Sequence, residues 1–123
     1  MEIIHLEATS DTPKVRLDAV LGTFEIAQRC FPEDATGFYS PIIEWIKSYI
    51  TSPNPTTHFN FKLEYFNTAS SKQLFKILLL LEELSKKNEV IIFWHYNKED
   101  SDMLSSGERY SKLVQLKFNM VEI

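Results

Sequence analysis

The chain has 123 residues, a net charge of −4, and 44% hydrophobic and 24% charged residues, which predicts one soluble globular domain over residues 1–123. The acidic balance opposes nucleic-acid binding, which requires concentrated Lys and Arg. Apolar runs of at most five residues exclude a membrane-spanning helix of about 20 residues, and with it direct membrane insertion.

The spacing of apolar residues divides the chain into strands and helices. Apolar residues alternate in most of the strand segments and recur every three to four positions in the helical ones. The segment at 90–96 is apolar on both faces, as expected for a central strand covered by helices. The predicted elements, in chain order, are a candidate edge strand at 3–6, strands at 13–20 and 23–30, a helix at 38–50, a strand at 58–66, a helix at 69–86, a strand at 90–96, a helix at 99–110 and a strand at 112–123. This order predicts an α/β fold with a mixed sheet of about five strands and three helices mainly on one face.

The start of the first helix has two candidates. Asp34 and Ser40 can both accept hydrogen bonds from the amides of a first helical turn. Pro41 lacks an amide hydrogen and is best tolerated within that turn. The proline therefore favours the later start and a helix over 38–50.

The sequence contains no recognisable catalytic or metal-binding constellation. His5, His58 and His95 are scattered without the HxxH or HExxH spacing of metal ligands. Cys30, the single cysteine, has no distinctive partner and is expected to be a buried side chain. We therefore expect a protein that is not an enzyme and holds no metal or cofactor. The lack of a leader pattern and of a disulfide pair favours the cytoplasm.

The stretch "YFNTASSK", residues 65–72, joins a predicted strand to the apolar helix at 69–86. Asn67 and Thr68 are both suited to cap that helix, because their side-chain oxygens can accept its unpaired amide hydrogens. Thr68 is also a hydroxyl that a kinase could modify. A phosphate there would add close to two negative charges at a helix N-terminus, where the dipole favours anions, so the fold could accept it.

The helix at 69–86 has more apolar residues than one buried face requires. One stripe of Leu and Ile suffices to cover a sheet, whereas Phe75, Leu79 and Leu80 lie outside or at the edge of it. Either neighbouring helices cover this excess, or it forms a hydrophobic docking surface next to Thr68. Both explanations can hold for different residues.

The same residues carry a family resemblance. "LEYFNTASSK" followed by "LLLLEEL", and "FWHY" in the next strand, resemble the SiaC family of bacterial regulatory phosphoproteins, as does the upstream "FPEDATGFYSPIIEWIKSYI". The resemblance extends over residues 12–122, nearly the whole chain. It implies a fold similar to STAS domains, and reversible phosphorylation of the threonine that matches Thr68.

The resemblance also implies a set of protein partners. A Ser/Thr kinase would add the phosphate and a PP2C-type phosphatase would remove it. The unphosphorylated form would bind and activate a GGDEF-type diguanylate cyclase, raising cyclic-di-GMP and promoting biofilm behaviour. The chain departs from the family pattern at Ala69, where a serine is familiar, and in "FKILLLL", with Lys76 and Leu79, where the helix is otherwise acidic.

These observations predict a protein-interaction switch controlled by phosphorylation of Thr68. The other residues expected to support the phosphate or contact the partner are Asn67, Ser70, Lys72, Phe75 and Leu79. Modification of Ser70 or Ser71 as well is left open by the sequence.

Two alternatives are compatible with the same sequence. One is an anti-sigma-factor antagonist in a partner-switching transcription pathway, which would capture a different effector. The other is a small-ligand sensor with a pocket lined by Trp94, His95 and Tyr96.

Overall fold

A computed structural model of the protein describes residues 2–123 and shows three helices on a six-stranded mixed sheet. The elements are β1 Ile4–Leu6, β2 Lys14–Asp18, β3 Thr23–Cys30, α1 Ala35–Thr51, β4 Thr56–Phe66, α2 Thr68–Ser85, β5 Glu89–Tyr96, α3 Ser101–Leu113 and β6 Lys117–Glu122. The predicted α/β fold is confirmed. The sheet has six strands where about five were expected, because the candidate edge strand pairs with β2 as β1.

The strands lie in the sheet in the order of the chain. β1, β2 and β3 pair antiparallel as a meander, whereas β3, β4, β5 and β6 pair in parallel. Each parallel pair is joined through one helix, as a parallel connection requires. All three helices therefore begin at the carboxyl ends of the parallel strands, where open α/β sheets place their functional groups.

The helices cover one face of the sheet, and the hydrophobic core lies between them and that face. Alternate strand residues and the inner sides of the helices form one cluster, in which Tyr39, Phe61 and Trp94 are completely buried. The second face is mainly polar, and on it Glu25 pairs with Lys62 at 2.9 Å. Ile91 and Phe93 of β5 also lie on this face, opposite His58 and Asn60 of β4. No helix within residues 2–123 is long and apolar enough to cross a membrane.

The prediction of a late start for α1 is wrong. The helix begins at Ala35, and the Asp34 side chain caps it by accepting a hydrogen bond from the Gly37 amide at 3.0 Å. Pro41 thus lies inside the helix. Pro41 has no amide hydrogen to donate to the Gly37 carbonyl. It is tolerated because both residues are exposed, so this carbonyl can bond to water instead.

The boundary between α3 and β6 also differs from the prediction. The helix continues to Leu113, and the strand begins at Lys117 instead of residue 112. Val114 ends the helix, with its amide bonded to the Tyr110 carbonyl and its side chain buried. The apolar pair Leu113-Val114 therefore belongs to a helix end, although its spacing also fits a strand.

We predict that Gly107→Ala destabilises the fold. A Cβ at Gly107 would overlap the indole of Trp94, whose Nε1 is held by a 2.9 Å hydrogen bond to the Met103 carbonyl. Alanine improves helix propensity by about 1 kcal/mol, but overpacking against a fixed ring costs about 1–3 kcal/mol. We expect a net loss in the free energy of unfolding, measured in urea. The exposed Ser105→Ala is the control, and equal midpoints would contradict the packing.

Candidate functional site

Thr68 is the first residue of α2, and Asn67 is its cap. The Asn67 Oδ1 accepts a hydrogen bond from the Ser70 amide at 2.9 Å, while the Asn67 amide donates to the Cys30 carbonyl at 3.1 Å. The cap thus ties the start of α2 to the end of β3. Because Asn67 satisfies the first turn, the exposed Thr68 side chain is not required as a cap.

The three hydroxyls of this turn differ in accessibility. Ser70 is completely buried, and its Oγ has no hydrogen-bond partner among residues 2–123. Ser71 is half-buried and engaged with Tyr110. Thr68 alone is exposed. A kinase could therefore reach Thr68 in the folded protein, whereas Ser70 would require the turn to unfold. The structure does not bring Ser70 to the surface around Thr68, where the sequence analysis placed it.

Tyr110 fastens α3 to the first turn of α2. Its hydroxyl donates to the Ser71 carbonyl at 2.9 Å and lies 2.7 Å from the Ser71 hydroxyl, which can donate in return. Burial raises the pKa of Tyr110, so the hydroxyl keeps its proton and its donor role. The two helix starts are thereby held on either side of one cleft.

This cleft, which we call the Thr68 cleft, has a volume of about 510 Å³ and is lined by residues that include Glu64, Thr68, Asp100, Asp102 and Arg109. Asp100 caps α3, accepting a hydrogen bond from the Met103 amide at 2.9 Å. Three carboxylates and one guanidinium therefore line the same cleft as Thr68. The cleft is acidic apart from Arg109.

Thr68, Lys72, Phe75 and Leu79 lie along one strip of α2, because they are spaced i, i+4, i+7 and i+11. Lys72 is exposed. Phe75 is half-buried, and its ring stacks on Tyr110 with centroids 6.5 Å apart. Leu79 is 41% exposed. We call these four residues the α2 strip; it joins the threonine to an uncovered leucine three turns further along the helix.

Leu79 also borders a groove between α1 and α2. The groove has a volume of about 370 Å³, with Ile43, Leu79 and Leu80 as its apolar residues and charged side chains such as Lys47 and Glu83 beside them. An apolar surface with charged margins resembles the composition of protein-binding surfaces.

The other candidate residues do not line the Thr68 cleft. Burial raises the pKa of the Cys30 thiol to about 12, so it stays protonated and is a poor nucleophile. Trp94 points into the core, whereas His95 lies on the opposite face and bonds to Asn60 at 3.0 Å. Adjacent strand residues face opposite sides, so Trp94 and His95 do not line one pocket. Residues 2–123 contain no group of His, Cys, Asp and Glu that could hold a metal.

Two residues of the site were missed from the sequence. Arg109 and Tyr110 belong to a largely polar segment far from Thr68 in the chain, and no local motif marks them. They reach the site because β4 and β5 pair in parallel, which places the starts of α2 and α3 side by side.

A family model of regulatory phosphoproteins matches this chain over residues 6–123. Its description is SiaC family regulatory phosphoprotein. The chain belongs to the SiaC family, as its motifs predict.

Relatives in Pseudomonas aeruginosa match nearly the whole chain. An uncharacterized protein of strain UCBPP-PA14 is 25% identical over 119 residues, covering 96% of this chain and 94% of that protein. SiaC of Pseudomonas aeruginosa is 23% identical, with a TM-score of 0.90 over the whole of both chains. A chain in the crystal structure of diguanylate cyclase SiaD in complex with its activator SiaC is 23% identical, with a TM-score of 0.92 and coverage of 98% and 99% of the two chains.

We predict that Asn67→Ala and Thr68→Ala have different effects on stability. Loss of the Asn67 cap should lower the free energy of unfolding by about 1 kcal/mol, whereas loss of the Thr68 side chain should change it by less than about 0.5 kcal/mol. Urea unfolding followed by circular dichroism measures both. Equal losses would show that the two side chains share the capping role and that the Thr68 side chain is required for the stability of the helix.

Proposed function

We propose that this chain is a non-enzymatic protein-interaction switch, acting as one domain, whose state is set by phosphorylation of Thr68. The observation that carries the proposal is the accessibility of Thr68, beside a buried Ser70 and an engaged Ser71. Membership in a family of regulatory phosphoproteins supports it. So does the Asn67 cap, because a kinase can modify Thr68 without removing the hydrogen bond that starts the helix.

A phosphate on Thr68 has little reason to unfold the protein. It adds close to two negative charges at a helix N-terminus, where an anion is stabilised by about 0.3–1 kcal/mol. The side chain is exposed, so the phosphate stays in water. The modified protein therefore keeps its fold, and the change is confined to its surface.

The same phosphate disturbs a partner that covers the α2 strip. At 1.5 Å per residue, Thr68 lies about 16 Å along the helix from Leu79. A partner surface of ordinary size, about 800 Å² on each side, that is centred on the strip includes both residues. Binding would then strip water from a doubly charged group, which costs several kcal/mol unless a cation compensates.

The effector in this proposal is a diguanylate cyclase. SiaC of Pseudomonas aeruginosa is the activator of the diguanylate cyclase SiaD and forms a complex with it. We propose that the unphosphorylated form of this chain likewise binds and activates a GGDEF-type diguanylate cyclase in the cytoplasm, promoting cyclic-di-GMP and biofilm signalling. A Ser/Thr kinase releases the cyclase by modifying Thr68, and a PP2C-type phosphatase restores binding.

We predict a single phosphorylation site in the first turn of α2. Protein purified from its native host should carry one phosphate in the peptide that contains residues 65–72, located on Thr68 by mass spectrometry. Thr68→Ala should abolish it, and Ser71→Ala should retain it. Phosphate on Ser70 or Ser71 in the folded protein would contradict the order of accessibility that the structure shows.

We predict that charge at Thr68 and loss of Leu79 both weaken binding to the cyclase. In titration calorimetry with purified cyclase, Thr68→Ala should bind with the Kd of the unmodified protein, and Thr68→Asp at least about tenfold more weakly, since tenfold corresponds to about 1.4 kcal/mol. Leu79→Glu should weaken binding similarly, because it charges the exposed part of the strip.

Leu113→Glu is the matched control for Leu79, since Leu113 is an exposed leucine on another helix, outside the α2 strip. It should leave the Kd unchanged. Equal Kd values for Thr68→Ala and Thr68→Asp would contradict the switch, and equal effects of the two leucine variants would place the docking surface elsewhere.

A further inference from the structure

Arg109 lies in the wall of the Thr68 cleft without an ionic partner. Among the described residues that line the cleft, it is the one basic side chain. Its guanidinium makes one long contact, 3.4 Å, to the Ser106 hydroxyl, and no carboxylate within residues 2–123 forms a salt bridge with it. Glu64, Asp100 and Asp102 line the same cleft, and none of them lies within ion-pair distance of the guanidinium. Here the guanidinium is left free to accept another anion.

The position of Arg109 is set by its neighbour. Tyr110 is 5% exposed, bonds to Ser71, and packs against Phe75 and Trp94 with ring centroids 6.5 Å and 5.6 Å away. The backbone at Arg109 is therefore fixed against the first two turns of α2. Arg109 and Thr68 then face one cleft from two different helices.

The other charges of the cleft leave Arg109 as the one group there that attracts a phosphate. Glu64, Asp100 and Asp102 also line the cleft and would repel two added negative charges. Arg109 offers several N–H donors in a planar fork that matches two phosphate oxygens. Within the cleft, a phosphate on Thr68 is therefore attracted toward Arg109 on α3.

We propose that Arg109 is the intramolecular counter-ion of phosphorylated Thr68, and that their ion pair bridges α2 and α3 in the modified state. This inference rests on the phosphorylation proposed above and adds how the modified state is held. In the unmodified protein Arg109 is free, and the cleft is open. In the modified protein the phosphate is drawn against α3 and anchored beside the α2 strip.

The test is a ³¹P NMR titration of the full chain carrying phosphothreonine at position 68, installed by genetic-code expansion. A phosphate monoester loses its second proton near pH 6, and a paired guanidinium lowers that pKa because it favours the dianion. Arg109→Gln should raise the phosphate pKa by about half a pH unit, and Arg109→Lys should raise it less. Lys112→Gln is the control, since it removes the same charge from the same helix outside the cleft.

An unchanged phosphate pKa in Arg109→Gln would overturn the inference. So would a phosphate pKa higher in the folded chain than in the same chain in urea, because it would show that the carboxylates dominate the cleft. Arg109 is exposed, so we expect its variants to fold, and circular dichroism checks this.

The titration does not depend on a kinase. An unchanged phosphate pKa would rule out Arg109 as the counter-ion. Finding Thr68 unmodified in the native host would instead rule out the proposed function.

Discussion

The hydrogen bonds of Asn67 are the interaction on which the regulatory site depends. They hold the first turn of α2 at the carboxyl edge of the sheet, through the Cys30 carbonyl on one side and the Ser70 amide on the other. If Thr68 were the cap, a phosphate would replace the hydroxyl that accepts the capping hydrogen bond, and the modification would act on the helix start itself. With Asn67 as the cap, helix stability and the modifiable hydroxyl belong to two adjacent residues.

Local chemistry identified this turn from the sequence, but not the tertiary contacts around it. The spacing of apolar residues was sufficient to find the strands, although not the start of β6. The residue types at 67 and 68 were sufficient to place the start of α2 within one residue. The choice between Asn67 and Thr68 was beyond the sequence, because both side chains are chemically able to cap. Pro41 misled the prediction for α1, since its tolerance depends on exposure, which a local pattern does not reveal.

The opposite wall of the cleft depends on tertiary structure. Arg109 and Tyr110 approach α2 through the parallel pairing of β4 and β5, a long-range contact without a sequence signature in a single chain. The small number of buried apolar residues in α3 has a physical reason. Gly107 must be small because it packs directly on Trp94, and the residue that secures α3 to α2 does so through a hydroxyl, which apolar periodicity does not record.

The apolar excess of α2 has two explanations in the structure, as the sequence allowed. Phe75 is partly covered because it stacks on Tyr110, and Leu80 is half-buried at the groove beside α1. Leu79 is left 41% exposed. A single exposed leucine is ordinary on a protein surface. Its significance comes from continuity with Thr68 along one strip and with the apolar residues of the groove.

The magnitudes explain why a phosphate at this position would change binding more than folding. In an exposed cleft the helix dipole contributes about 0.3–1 kcal/mol in favour of the anion, and an exposed pair with Arg109 about 0.2–1 kcal/mol. Repulsion from the carboxylates that line the cleft has the opposite sign and is weakened by water and salt. All of these terms are small while the phosphate is hydrated. Under a partner the water is lost, the cost rises to several kcal/mol, and one free guanidinium does not neutralise two charges.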